Sequence, residues 1–210
     1  MIKIEKTETF GWESAIRGMR NPLNSWTKSD THFNWEVGKI VIGENDLNLM
    51  KRLSKAGSDH AKFLRMINVT CDITAPLYWW KEYDTYKVGT VANSCSTMHK
   101  IHAKEFTIDD FSHEHLFYDE VMQTNTDVLE FVIDALNFAR ADYLRTNDKR
   151  YWWQMIQLLP TSYNQKRTVQ LNYQVLKNIY FSRRNHKLDE WHTLCDWIEG
   201  LPYFKEICEI

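Results

Sequence analysis

The chain has 210 residues, 43 % of them hydrophobic, which suffices for one compact domain with a sizeable core. Its 26 basic and 28 acidic side chains are spread along the sequence for a formal charge of −2. No basic field of the kind that displaces counterions from a polynucleotide results, and a nucleic-acid partner is disfavoured. No apolar run approaches the roughly 20 residues that span a bilayer, and residues 1–10 lack a signal-peptide core, so a cytoplasmic protein without a membrane role is expected.

Nine Trp, ten Tyr and ten Phe give an aromatic load that calls for a ring-rich core or for ring faces lining a flat ligand. Cys71, Cys95, Cys195 and Cys208 form no Cys-x-x-Cys pair and read as free thiols. There is no repeat and no Pro/Gly/Ser-rich linker, so residues 1–210 read as a single domain.

Taken in chain order, Trp12 to Arg20 reads as a helix stopped before Pro22, and Asn45 as the cap of a second helix from Asp46 to Ala56. From Phe63 to Ile73 the odd positions are mostly apolar, which predicts a half-buried strand. Pro76 suits the first turn of a short helix carrying Leu77, Trp79, Trp80 and Tyr83. A loop around Gly89 and the polar run 93–97 follow. Thr126 or Asp127 opens a long helix with Val128, Leu129, Val132, Ile133, Leu136 and Ala139 on one face. Lys149 to Leu159 forms another, halted by Pro160.

Thr168 to Leu171 reads as a strand. Asn172 then caps a helix with Val175, Leu176, Ile179 and Tyr180 inward, and Asp189 caps one with Trp191, Leu194, Cys195 and Ile198 inward. The class is α/β or α+β, dominated by helices.

The densest chemical pattern runs from Leu159-Pro160 through the Thr168 strand to Asn172, Gln174, Asn178 and Arg183. The two Asn residues and the Arg fall on neighbouring turns of one helix, where amides and a guanidinium can face a planar heterocycle. Read without further context, Asn172 is an N-cap and Arg183 a charge suited to the last turn.

In spacing, this segment resembles the flavin-dependent thymidylate synthase family. That family carries a Leu-Pro, a Thr-containing strand, a helix opening Asn-x-Arg, a second Asn six residues on and an Arg eleven on. Three of its four polar positions are kept, with Gln174 in place of the first Arg. Upstream, Ala75-Pro76 and the stretch from Tyr86 to His99 are similar in order to the family signature R-H-R-x-x-S-x-N-E-x-S-x-R-Y. Only Asn93 and Ser96 survive there. Tyr86, Lys87, Val88, Ser94 and Met98 stand where the family has Arg, His, Arg, Glu and Arg. Ile156 also replaces a nucleotide-binding Arg.

The resemblance implies a flavin-dependent thymidylate synthase-like fold, helix-rich with an antiparallel or mixed sheet, assembled as a homotetramer. It further implies FAD, with FMN as a competitor, and methylation of dUMP to dTMP using methylenetetrahydrofolate and NADPH. On that basis Arg183 is expected at the uracil, Asn172 and Asn178 at the flavin, and Ser96 and Asn93 at the nucleotide. Lys87 is the remaining cation for a phosphate, since Tyr, Val and Met cannot replace bidentate Arg contacts. The alternative is a non-catalytic or re-specialised nucleotide- or flavin-binding relative.

From a different class, His99, His102, His113 and His115 with nearby acids offer metal donors, but no spacing matches a zinc box and they read as a surface cluster. Cys95 lacks an evident activator, and there is no Gly-x-Ser-x-Gly elbow.

Overall fold

A computed structural model describes residues 2–36, 38–117 and 125–210. It is a helix-rich α+β structure with a small antiparallel sheet. Strands β1 (Lys3–Phe10), β4 (Asn68–Pro76), β5 (Val91–Ser94) and β6 (Asn164–Asn172) order as β1-β4-β6-β5. A separate antiparallel pair joins β2 (His32–Asn34) to β3 (Lys39–Val41), with Phe33 opposite Ile40. Among the described residues no helix is long and apolar enough to cross a membrane.

Contacts divide the chain into two compact units. One holds Ile73–Thr85 and Asn93–Thr168 with the first residues up to Lys3. Its centre is α5 (Asn125–Thr146) against α6 (Lys149–Leu158), joined through Asn147, which takes a left-handed φ of 55°. The Asp148 side chain caps α6 by accepting from the Arg150 N–H at 2.9 Å. Leu129, Ile133, Leu136 and Ala139 are buried as their spacing predicts, with Phe106, Phe111 and Met155. Val128 is the correction, 60 % exposed at the edge of the expected stripe. In α3 (Leu77–Tyr83), Trp79, Trp80 and Tyr83 are buried, and the Trp80 indole donates to the Gln165 carbonyl at 2.9 Å. Pro76 precedes α3 as its N-cap rather than lying in its first turn.

The other unit holds Ile4–Asp72, Tyr86–Ala92 and Val169–Ile210. Helix α1 (Trp12–Arg20) has the predicted bounds. The predicted strand from Phe63 does not: Ala61–Arg65 is a 3-10 turn, and β4 begins at Asn68. Adjacent Phe63 and Leu64 are both buried, which a strand's alternation forbids and a tight helical turn allows. From Val69 onward the alternation holds, with Val69, Cys71, Ile73 and Ala75 buried.

Helix α2 (Glu44–Lys55) starts before Asn45, which therefore does not cap it. Asp30 takes that role from a distant loop, its carboxylate accepting from the N–H groups of Asn45 and Asp46 at 2.9 and 3.1 Å. Helix α7 (Tyr173–Arg183) packs with α8 (Asp189–Glu199), and α2 with α9 (Phe204–Cys208). Asp189 is the first residue of α8 rather than its cap, which falls on Leu188.

The Arg20–Asp46 ion pair is buried in this unit, Nε to Oδ1 at 2.6 Å, with side-chain exposures of 4 % and 0 %. Arg20 Nη1 also reaches the carbonyl and hydroxyl of Ser25, each at 3.2 Å. The second Asp46 oxygen accepts from the Ser29 hydroxyl and from the N–H groups of Asp30 and Thr31. Burial raises the Asp46 pKa, but hydrogen bonds from Thr31, Ser29 and Arg20 outweigh it and hold the carboxyl below its ordinary 3.8.

A carboxyl lowered in the folded state stabilises above its unfolded value, and that contribution disappears as pH falls through the folded value. Asp46→Ala should cost about 3–5 kcal/mol in urea unfolding near neutrality, because it leaves a buried guanidinium uncompensated. Asp46→Asn should flatten the loss of stability below about pH 4. A midpoint unchanged in Asp46→Ala would show that the pair is dispensable.

Candidate active site

Four of the expected site residues, Lys87, Asn172, Asn178 and Arg183, lie in the second unit; Asn93 and Ser96 lie in the first. In the second unit the pattern is organised by α7. Asn172 ends β6 in an extended conformation, and its Oδ1 accepts from the Val175 N–H at 3.1 Å. The other amide atom, Nδ2, lies beside Gly89, where an added Cβ would come within 3.0 Å of it and 3.2 Å of Val175 Cγ2. Gly89 also has φ +79°. A loop residue with a side chain therefore could not close on the start of α7 in this way.

Within the first turn of α7, Gln174 Nε2 donates to Asn178 Oδ1, one turn on, at 3.1 Å. Gln174 Oε1 is buried without a hydrogen-bond partner among the described residues, and Asn178 is exposed. The exposed part of the pair is the Asn178 amide, whose Nδ2 can donate to a carbonyl.

Arg183 is not the solvated charge that its position alone would suggest. Its Nε donates to the Tyr86 hydroxyl at 2.9 Å, and its guanidinium carbon lies 5.6 Å from the Tyr86 ring and 4.7 Å from that of the buried Trp191. The two rings meet edge-on, with centroids 6.0 Å apart. Tyr86 and Trp191 are contact partners of Arg183 that the spacing analysis missed. The inward face of α8 located Trp191, but only the fold shows that α7 sets a guanidinium against it. Lys87 and Val88 are exposed.

Residues 91–94 form the exposed strand β5 rather than a loop, so Asn93 is exposed on that strand. Cys95 N–H donates to the Lys166 carbonyl at 2.9 Å. Ser96 caps the single turn α4 (Thr97–Lys100), its Oγ accepting from the His99 N–H at 3.0 Å. With the Lys166 pairing, the Cys95 N–H is not free to meet an anion.

Ser96 lines a cleft of about 350 Å³ with Lys104, Asp110, Tyr163 and Lys166. Lys104 pairs with Asp110. Burial, then the charges of Asp110 and Cys95, raises the Tyr163 pKa, so the phenol is a neutral donor at physiological pH. Ile156, where the resemblance leads one to expect a nucleotide-binding Arg, is half-buried against the core of the first unit. The histidines do not converge: His113 Nδ1 lies 2.9 Å from the Phe111 carbonyl, and the His102 ring packs on Tyr143. Among the described residues no three His, Cys, Asp or Glu side chains gather as metal donors.

Two substitutions isolate the contribution of the Asn172 cap. Asn172→Ala should lower stability by about 1 kcal/mol, while Asn172→Ser should restore most of it by capping through its hydroxyl. Chemical unfolding of the three proteins checks this; equal stability of the Ala variant and the parent would show that the cap contributes nothing.

No family profile matches the sequence, and no curated protein is similar to it. Solved structures do match. Thymidylate synthase X from Helicobacter pylori, solved with FAD and dUMP, superposes with a TM-score of 0.71 at 16 % identity, covering 99 % of this chain and 97 % of that one. A second Helicobacter pylori structure, of flavin-dependent thymidylate synthase complexed with FAD and dUMP, gives 0.69 at 16 %, covering 98 % and 97 %. The UMP/dUMP methylase PolB from Streptomyces cacaoi, bound with 5-Br dUMP, gives 0.60 at 14 %, covering 100 % and 94 %. The likeness extends over nearly the whole of each chain, and this protein has the fold of the flavin-dependent thymidylate synthases.

Proposed function

We propose that this protein is a flavin-dependent methylase of a uracil nucleotide, converting dUMP to dTMP. The observation that carries the reading is the end of α7, where Arg183 is held at a fixed place by Tyr86 and Trp191, with the exposed Asn178 amide on the same helix. The fold shared with two FAD- and dUMP-bound Helicobacter pylori structures and a dUMP methylase supports it.

The Asn178 amide, exposed on α7, would hold the isoalloxazine ring by donating to one of its carbonyls. Asn172, with one amide atom capping α7, keeps Nδ2 for the same ring. FAD, when bound, supplies the redox chemistry; NADPH is the reductant and methylenetetrahydrofolate the carbon donor. Arg183 stabilises negative charge on the uracil ring as its N3–H ionises, and the aromatic clamp removes the rotamer entropy such a contact otherwise costs. Ser96 and Asn93 are assigned to the nucleotide, with the Ser96 hydroxyl still able to donate while its oxygen caps α4.

The phosphate end fits less well, with Lys87 as its one assigned cation. Losing two charge-assisted contacts weakens flavin affinity by about two to four orders of magnitude, so FMN competes with FAD. That same loss favours the second reading, a re-specialised or non-catalytic flavin- or nucleotide-binding relative. The proposed assembly is a homotetramer, supported by the exposed Val128, Phe131 and Phe138 on α5. The cytoplasm is the proposed compartment, since all four cysteines are unpaired.

Purified protein should show oxidised-flavin absorbance, or acquire it on titration with FAD, and the affinity should fall with ionic strength and fall further in Lys87→Ala. Tight, salt-insensitive binding would contradict the single-cation account. With methylenetetrahydrofolate and NADPH, dUMP should yield dTMP. Arg183→Ala should abolish that turnover with flavin content retained and stability reduced by about 1 kcal/mol for the lost stacking. Normal turnover by this variant would remove Arg183 from the mechanism, and flavin binding without turnover in the parent would favour the second reading.

A further inference from the structure

A cleft of about 430 Å³ beside α2 is lined by Arg20, Ser25, Lys28, Asn45, Asn48 and Arg52, and by no carboxylate among the described residues. Its size lies within the range of small-molecule sites, roughly 300–1,000 Å³. Asn45, Asn48 and Arg52 recur at helical spacing along one face of α2, so two amides and a guanidinium converge on the same space. Among the described residues neither Lys28 nor Arg52 forms an ion pair, in a chain whose overall charge is −2. These cations are therefore gathered against the general balance of the surface and left uncompensated.

The floor of the cleft is polar as well. The Ser25 hydroxyl oxygen accepts from Arg20 Nη1, which leaves its proton to donate. Asp46, the nearest buried carboxylate, has both oxygens engaged by Arg20, Ser29 and the N–H groups of Asp30 and Thr31. Asp30 is likewise engaged at the start of α2. Arg20 Nη2 is buried without a partner in this wall. Every side chain offering hydrogen bonds to the cleft can act as a donor, which is what a phosphate group, an acceptor on all its oxygens, requires.

We propose that this cleft is a binding site for a phosphorylated small molecule, with Lys28 and Arg52 holding the phosphate oxygens and Ser25, Asn45 and Asn48 supplying neutral donors. Leu23 and Leu49 complete the lining and give an apolar surface for the organic part of the ligand. This site is separate from the polar face of α7 and does not depend on the flavin reading.

The test is calorimetric titration of the full chain with inorganic phosphate, pyrophosphate and ADP at matched ionic strength. It is repeated on Lys28→Gln/Arg52→Gln, which removes both charges but keeps polar side chains, and on Arg183→Ala. Saturable binding of pyrophosphate or ADP that weakens at least tenfold in the double variant, with unchanged circular dichroism, and persists in Arg183→Ala is the expected result. ADP binding tighter than pyrophosphate identifies a nucleoside phosphate; equal binding identifies the free anion. No saturable binding of any of the three, or binding equal in the double variant and the parent, overturns the proposal. If the double variant were misfolded, Asn48→Asp, which places a carboxylate against the anion, would have to weaken binding at least tenfold; unchanged affinity there also overturns it.

Discussion

One carboxamide fixes where the chain changes from a two-residue to a 3.6-residue period. β6 lies inside the sheet between β4 and β5, and its last residue is Asn172. By accepting from the Val175 N–H, the Asn172 side chain satisfies a helix donor that would otherwise be orphaned, so α7 begins at a defined residue. Everything on α7 is then placed by rotation of 100° per residue. Val175, Leu176, Ile179 and Tyr180 turn inward and Gln174 and Asn178 share the opposite side, while Arg183, five residues beyond Asn178, is turned about 140° from it and meets Trp191 of α8. A one-residue shift in this start would exchange core and site residues, which ties the hydrophobic packing of the unit to the chemistry proposed for it.

The same unit tolerates a buried guanidinium at Arg20 because its partner is saturated. A buried ion pair gains little net stability over an apolar pair, since both ions lose hydration. Here the Asp46 carboxylate recovers that loss through three hydrogen bonds besides the ion pair, all from residues 29–31. The consequence is positional: the carboxylate ties 29–31 to α2, and Asp30 in turn closes the first turn of α2. A loop without regular structure is thereby given a definite path along a helix.

How much of this could be read from the sequence depended on the range of the forces involved. The inward faces of α7 and α8 and the bounds of α1 follow from local periodicity, and the Asn172 cap from local donor counting. The α2 cap was misassigned to Asn45 because the true capping carboxylate, Asp30, sits fifteen positions away and competes without any local signal. The start of β4 was misplaced because a 3-10 turn can bury Phe63 while Ile67, beyond it, is buried as well; the consecutive Phe63-Leu64 pair was the clue that broke the alternation. Val128 was placed inward because it borders a true stripe. The partnership of Tyr86, Arg183 and Trp191 was invisible for a stronger reason, namely that three separate segments meet there and no spacing rule connects them.

That partnership also gives the altered signature a physical sense. An Arg at position 86 would place a second guanidinium against Arg183, and the two like charges would repel unless a phosphate lay between them. Tyr86 removes that requirement. Its hydroxyl accepts from Arg183 Nε and its ring offers a negative face, so the guanidinium is held by the protein alone. Where the resemblance leads one to expect an Arg open to an anionic ligand, the chain instead has an internal brace for Arg183.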